Sequence, residues 1–163
     1  AYLIMIGWGQ GFQPICAMNY GASQYDRVKT AFKLAVLGAT AFLILSAFGL
    51  HIFAKELIMT MTKDSQVIAY TRKLLNLQCL TLPLLGYFAL SSMLMQNIGQ
   101  YFWSSIISIS RQGIFYIPLL YILTGAFGQV GIYLLQPMAD LMSFILAIFV
   151  VWKIGLGTRR NRK

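Results

Sequence analysis

Charged side chains are so sparse in this chain that the uncharged runs between them set its architecture. Residues 34–54 lie between Lys33 and Lys55 without a charge, long enough to carry a helix across a hydrocarbon core roughly 30 Å thick, which takes about 20 residues. The opening run is apolar over residues 1–20 and predicts another crossing. Residues 74–110 form a 37-residue uncharged run, too long for one span, and Asn97, Gly99 and Gln100 supply a break within it. Spans are therefore expected at 74–96 and 102–123. The small residues of 124–128 then predict a tight turn, and residues 130–152 a last crossing. The pattern defines an all-α polytopic membrane protein with five transmembrane helices. Residues 55–73 mix Leu57, Ile58, Met61 and Val67 with charges, the composition of an interfacial helix on the outer membrane surface, and residues 153–163 form a polar tail.

Charge placement orients these spans. With the tail cytoplasmic, the inner segments hold Arg27, Lys29, Lys33, Arg111, Lys153, Arg159, Arg160, Arg162 and Lys163, nine basic residues. The outer segments hold four, Lys55, Lys63, Arg72 and Lys73. The positive-inside rule then sends the first span inward and leaves the C-terminus on the cytoplasmic side of the plasma membrane.

Composition agrees. The chain is 58% hydrophobic and 10% charged, with a mean hydropathy of +0.69, whereas soluble domains carry about a quarter charged residues. The net charge of +9 is spread over loops and tail without the continuous basic face that nucleic acid needs, so no nucleic-acid partner is expected. Cys16 and Cys79 sit in apolar stretches and read as small apolar residues, with no metal or disulfide spacing. No soluble catalytic constellation or phosphate loop is present, and neither enzymatic activity nor a cofactor is expected. Because the chain enters an apolar run directly at Ala1, without an initiator Met or a basic leader, it is expected to be part of something longer.

Ionisable residues at depth in a membrane are costly and are functional candidates by default. Asp140 lies about nine residues into the last span, roughly 13 Å deep at 1.5 Å per residue. It has two readings: a carboxylate that loads and releases a sodium ion or proton, or a polar tie between helices. Arg111 lies early in the fourth span, where its long stem suits anchoring at the cytoplasmic headgroups. Gln10, Gln13, Asn19, Gln78, Gln96, Asn97 and Gln136 are more numerous than lipid-facing helices tolerate, and some should line a water-filled interior or pair with one another. Of these, Gln13, Asn19, Gln78 and Gln96 join Asp140 as candidates for a substrate or ion site. Pro14, Pro83 and Pro137, with Gly86, mark expected helix bends. Gly7 and Gly11 form a small-xxx-small pair suited to close helix packing, and His51 falls at the outer boundary of the second span.

Three segments, taken in order, resemble the C-terminal half of the multidrug and toxic compound extrusion (MATE) transporters, nearest to their bacterial MepA-like branch. Gly9-Gln10-Gly11-Phe12-Gln13-Pro14-Ile15, then Asn19-Tyr20-Gly21-Ala22 and Arg27, is similar to the eighth helix and its following loop. Pro83 and Gln96-Asn97-Ile98-Gly99 resemble the tenth helix and its exit. Ser110-Arg111-Gln112-Gly113-Ile114-Phe115-Tyr116-Ile117-Pro118-Leu119, with Pro137-Met138-Ala139-Asp140, resembles helices eleven and twelve. The resemblance implies a twelve-helix, two-lobe antiporter that exports amphipathic or cationic drugs in exchange for sodium ions or protons. This chain would then supply residues 1–163 as most of the C-terminal lobe, partnered by the lipid bilayer and a missing N-terminal lobe. A lipid-linked oligosaccharide flippase of the same superfamily would share the helices but tends to carry several basic residues in its cavity, and only Arg111 is available here. A non-transporting membrane scaffold is the alternative from another class.

Overall fold

A computed structural model describes residues 2–61 and 64–154, and every regular element among them is helical. The order is α1 (Tyr2–Gly21), α2 (Tyr25–Ile52), α3 (Ala54–Met61), α4 (Ser65–Thr81), α5 (Leu84–Asn97), α6 (Tyr101–Ile109), a π turn (Ser110–Ile114), α7 (Tyr116–Phe127) and α8 (Gln129–Ile154). The tail beyond Ile154, with its four basic residues, and Lys63 lie outside the described residues.

Among the described residues three helical stretches are long and apolar enough to cross a membrane: α2, the α6–α7 unit and α8. A fourth is added if α4 and α5, bent by 52° at their junction, make one span. The count of five expected from run lengths is thus reduced to three or four. The difference lies mainly in α1, which is 20 residues long but whose Gln10, Gln13 and Asn19 dilute its apolar character. The segment expected as one interfacial helix is two elements: α3, and the first half of α4, which opens on an Asp64 cap whose carboxylate accepts from the Gln66 amide at 2.8 Å.

Element ends follow from local chemistry. Pro83 stands at the α4–α5 bend, where its missing N–H removes one helical bond. Helix continues on both sides of Pro14 and Pro137. The break expected near Asn97 falls where α5 ends, with Gly99 at φ +78°. The turn expected over residues 124–128 is shorter, because helix runs to Phe127 and Gly128 alone, at φ +56°, reverses the chain. Gly131 then allows α8 to start against the end of α7, since a Cβ there would overlap the Leu123 carbonyl group.

The interior is organised around α5, whose Leu90, Leu94, Met95 and Ser91 are fully buried and which packs against α1, α2, α6 and α8. An aromatic series crosses this core from α1 to α8, Phe12 to Phe32 at 6.0 Å, Phe32 to Tyr87 at 5.9 Å and Tyr87 to Phe144 at 5.4 Å. The outward faces are apolar as well, with Leu45, Phe48, Tyr121 and Trp152 all exposed. Such a surface is stable in lipid and not in water. Gly7 and Gly11, expected at a helix contact, face open space; the glycine on the packed face of α1 is Gly9, against Met93 of α5.

Candidate functional site

Asp140 is 3% exposed and is the meeting point of three elements. The π turn brings Arg111, whose Nε donates to Oδ1 at 2.6 Å. Gln136, one turn back on α8, donates from Nε2 to the same oxygen at 2.9 Å. Thr81, the last residue of α4, donates from Oγ1 to Oδ2 at 3.1 Å. A buried carboxylate held by a largely buried cation and two neutral donors satisfies the demand that charge in a low-dielectric interior be paired and hydrogen-bonded.

The π turn makes this geometry. Its Phe115 amide bonds the Ser110 carbonyl at 2.9 Å, five residues back, which inserts one residue into the helical register between α6 and α7 and rotates α7 relative to α6. Ser110 is itself fully buried and donates to the Ile107 carbonyl at 2.6 Å. Arg111, whose side chain is 18% exposed, also lies over the Tyr2 ring of α1, 5.6 Å from its centroid. The stem expected to reach toward headgroups is therefore turned to Asp140. The Ser143 hydroxyl, three residues past Asp140 and 1% exposed, has no hydrogen-bond partner among the described residues.

The other candidates are dispersed. Gln136 reaches the Asp140 site, whereas Gln13 on α1 and Gln78 on α4 do not bond to it. Gln96 is exposed and lines a cavity of about 330 Å³ with Tyr101, Ser92, Ser104 and Ser108. There the Ser92 and Ser104 hydroxyls lie 3.0 Å apart and Ser92 and Ser108 2.7 Å apart, tying α5 to α6. Asn19 bonds its own helix, donating to the Ile15 carbonyl at 2.8 Å, and lines an open groove of about 750 Å³ between α1 and α2 with Trp8, Phe12, Asp26 and Leu34. Thr81 and Tyr2 join the site without having been expected there. A threonine two residues before Pro83, at a helix end, is a signal that could have marked Thr81; nothing in the sequence points to Tyr2. No group of three or more His, Cys, Asp or Glu side chains suited to a metal occurs among the described residues.

A helical bundle with apolar outer faces around a buried ion pair is that of a multi-pass membrane protein. The MatE family model matches residues 1–122, and the chain belongs to this family of multidrug and toxic compound extrusion transporters. Among curated relatives, the multidrug export protein MepA of Staphylococcus haemolyticus is 25% identical over 160 residues, covering 98% of this chain and 34% of that protein. MepA of Staphylococcus saprophyticus is also 25% identical, over 150 residues, covering 92% and 33%. A solved structure of the MATE multidrug transporter DinF-BH with a bound drug superposes with a TM-score of 0.84 at 35% identity, over 91% of this chain and 33% of that one. The chain thus spans about a third of the length of these relatives.

Proposed function

We propose that this chain forms part of a multidrug exporter that expels amphipathic or cationic compounds in exchange for sodium ions or protons by alternating access. It corresponds to helices eight to twelve of a two-lobe transporter and rocks against an N-terminal lobe. The observation that carries the reading is the buried Asp140 site, set in a fold similar to a MATE transporter that was solved with a drug bound. A carboxylate joining α4, α8 and the π turn is suited to sense a cation and to pass its binding on to helix packing. The membrane-embedded C-terminal lobe alone is not expected to transport.

A second reading of Asp140, as a structural tie, is favoured by its three satisfied bonds. Ethidium efflux from cells or vesicles carrying the full-length protein, driven by an imposed sodium or proton gradient, tests the function. Efflux that ignores both gradients, or none at all, rejects it. The flippase alternative is weakened by Arg111 being the one basic side chain engaged at depth among the described residues, and it is neutralised by Asp140.

A further inference from the structure

We propose that Arg111 is a tethered competitor of the coupling cation for Asp140, and that this cation is a proton: the carboxylate is held by the guanidinium or carries a proton, one excluding the other. This rests on the cation-antiport reading and deepens it by naming the ion and the residue that opposes it.

Every bonded neighbour of Asp140 is a hydrogen-bond donor: Arg111 Nε and Gln136 Nε2 on Oδ1, Thr81 Oγ1 on Oδ2. Hard metal cations are held by converging oxygen lone pairs, whereas here hydrogens converge on the carboxylate. A proton needs no such cage, and the Oδ2 side is built to take one. Thr81 Oγ1 lies 3.1 Å from Oδ2 and also 3.3 Å from the Gln78 carbonyl oxygen, two acceptors for one hydroxyl hydrogen. With Asp140 ionised, that hydrogen points to the carboxylate. When a proton bonds to Oδ2, the Thr81 hydroxyl turns its hydrogen to Gln78 and accepts from the new O–H. No other atom has to move for the proton to be accommodated.

Protonation removes the negative charge facing Arg111, whose guanidinium stays charged. A buried cation without its counter-ion is unstable, and two routes are open to it: the side chain is already partly exposed, and the Tyr2 ring lies at 5.6 Å. The π turn is thereby released from α8. By linkage, whatever draws Arg111 away raises the affinity of Asp140 for a proton.

The remaining titratable groups do not compete for this role. On α4, Tyr70 stacks on Tyr133 of α8, and on α5 Tyr87 meets Phe144. Arg72, Lys73 and Cys79 on α4, Tyr101 on α6, and Tyr116 and Tyr121 on α7 make no hydrogen bond or ion pair with Asp140 among the described residues.

The test is the ethidium affinity of the purified full-length transporter as a function of pH, with and without sodium. In the wild type, affinity falls as pH falls, independently of sodium, and Asp140→Asn abolishes the dependence. Arg111→Gln moves the midpoint to higher pH by about one to three units, because losing a neighbouring positive charge makes the carboxylate easier to protonate; Arg111→Lys restores it toward wild type. Thr81→Val moves the midpoint the same way by less, and carries the test if Arg111→Gln does not fold. Unmoved midpoints in Arg111→Gln and Thr81→Val, or a dependence on sodium in place of pH, overturn the proposal while leaving drug antiport standing. A wild-type protein without gradient-driven export overturns the function itself, and this inference with it.

Discussion

Arg111 and Asp140 are 29 residues apart in the chain and 2.6 Å apart in the structure, and their bond ties the π turn to α8 inside the bundle. The ends of the tie are unequal. Asp140 is almost fully enclosed, while the Arg111 side chain keeps 18% of its surface open, so the pair parts by motion of the arginine.

Removing one partner should cost far more than removing both. Asp140→Leu leaves a largely buried guanidinium unpaired and should destabilise the full-length protein by about 3–5 kcal/mol. Arg111→Met combined with Asp140→Leu replaces the pair with apolar groups and should recover most of that loss. Unfolding of the single and double variants in detergent measures both terms. Equal losses in the single and double variants would mean that the pair does not interact as drawn.

Asp140→Asn separates function from stability. The amide keeps the shape of the site and an acceptor oxygen, but it cannot load or release a cation. Coupled ethidium efflux by the full-length protein should be lost while its amount in the membrane is unchanged, as judged by immunoblot of membrane fractions. Normal efflux by this variant would leave Asp140 as a structural tie alone.

The two members of this site are visible in the sequence as ionisable residues in apolar runs, but their pairing is not. Assigning faces along residues 102–123 assumes a uniform helical period, and the extra residue in the π turn rotates the register partway along that stretch. The Asn97 break is legible because an uncharged run of 37 residues exceeds any single crossing. Thr124 and Gly125 mislead in the other direction. Both are tolerated inside a helix, and only the positive φ of Gly128 ends α7. The glycines of α1 show the same limit: spacing picks out Gly7 and Gly11, whereas packing selects Gly9, because the buried face of a helix depends on neighbours that spacing alone does not reveal.

Substitutions in α1 check that last point. Gly7→Leu and Gly11→Leu add side chains into open space and should change stability by less than about 0.5 kcal/mol, as surface changes do. Gly9→Leu drives a large group into Met93 and Leu90 and should cost about 1–3 kcal/mol. Gly9→Ala should fall between, because the atom it meets first is the flexible end of Met93. Detergent melting temperatures that rank Gly7→Leu below Gly9→Leu would contradict the packing of α1 on α5.

The α7–α8 junction gives the sharpest contrast between two glycines close in sequence. At Gly131 a methyl group would overlap both the carbonyl oxygen and the carbonyl carbon of Leu123. Backbone cannot yield as a flexible side chain can, so Gly131→Ala must separate α7 from α8 or unwind the first turn of α8. Gly125 sits inside α7 with nothing within 4 Å of the point a methyl would occupy, and alanine there should stabilise the helix by about 0.5–1 kcal/mol through lower backbone entropy in the unfolded chain. Gly131→Ala should instead lose about 1–3 kcal/mol through overpacking. Because α8 carries Asp140 and Gln136, a displaced hairpin should also lower ethidium efflux beyond the fall in folded protein. Efflux per folded molecule, compared for Gly131→Ala and Gly125→Ala, measures that displacement, and equal values would show that the hairpin contact does not position the site.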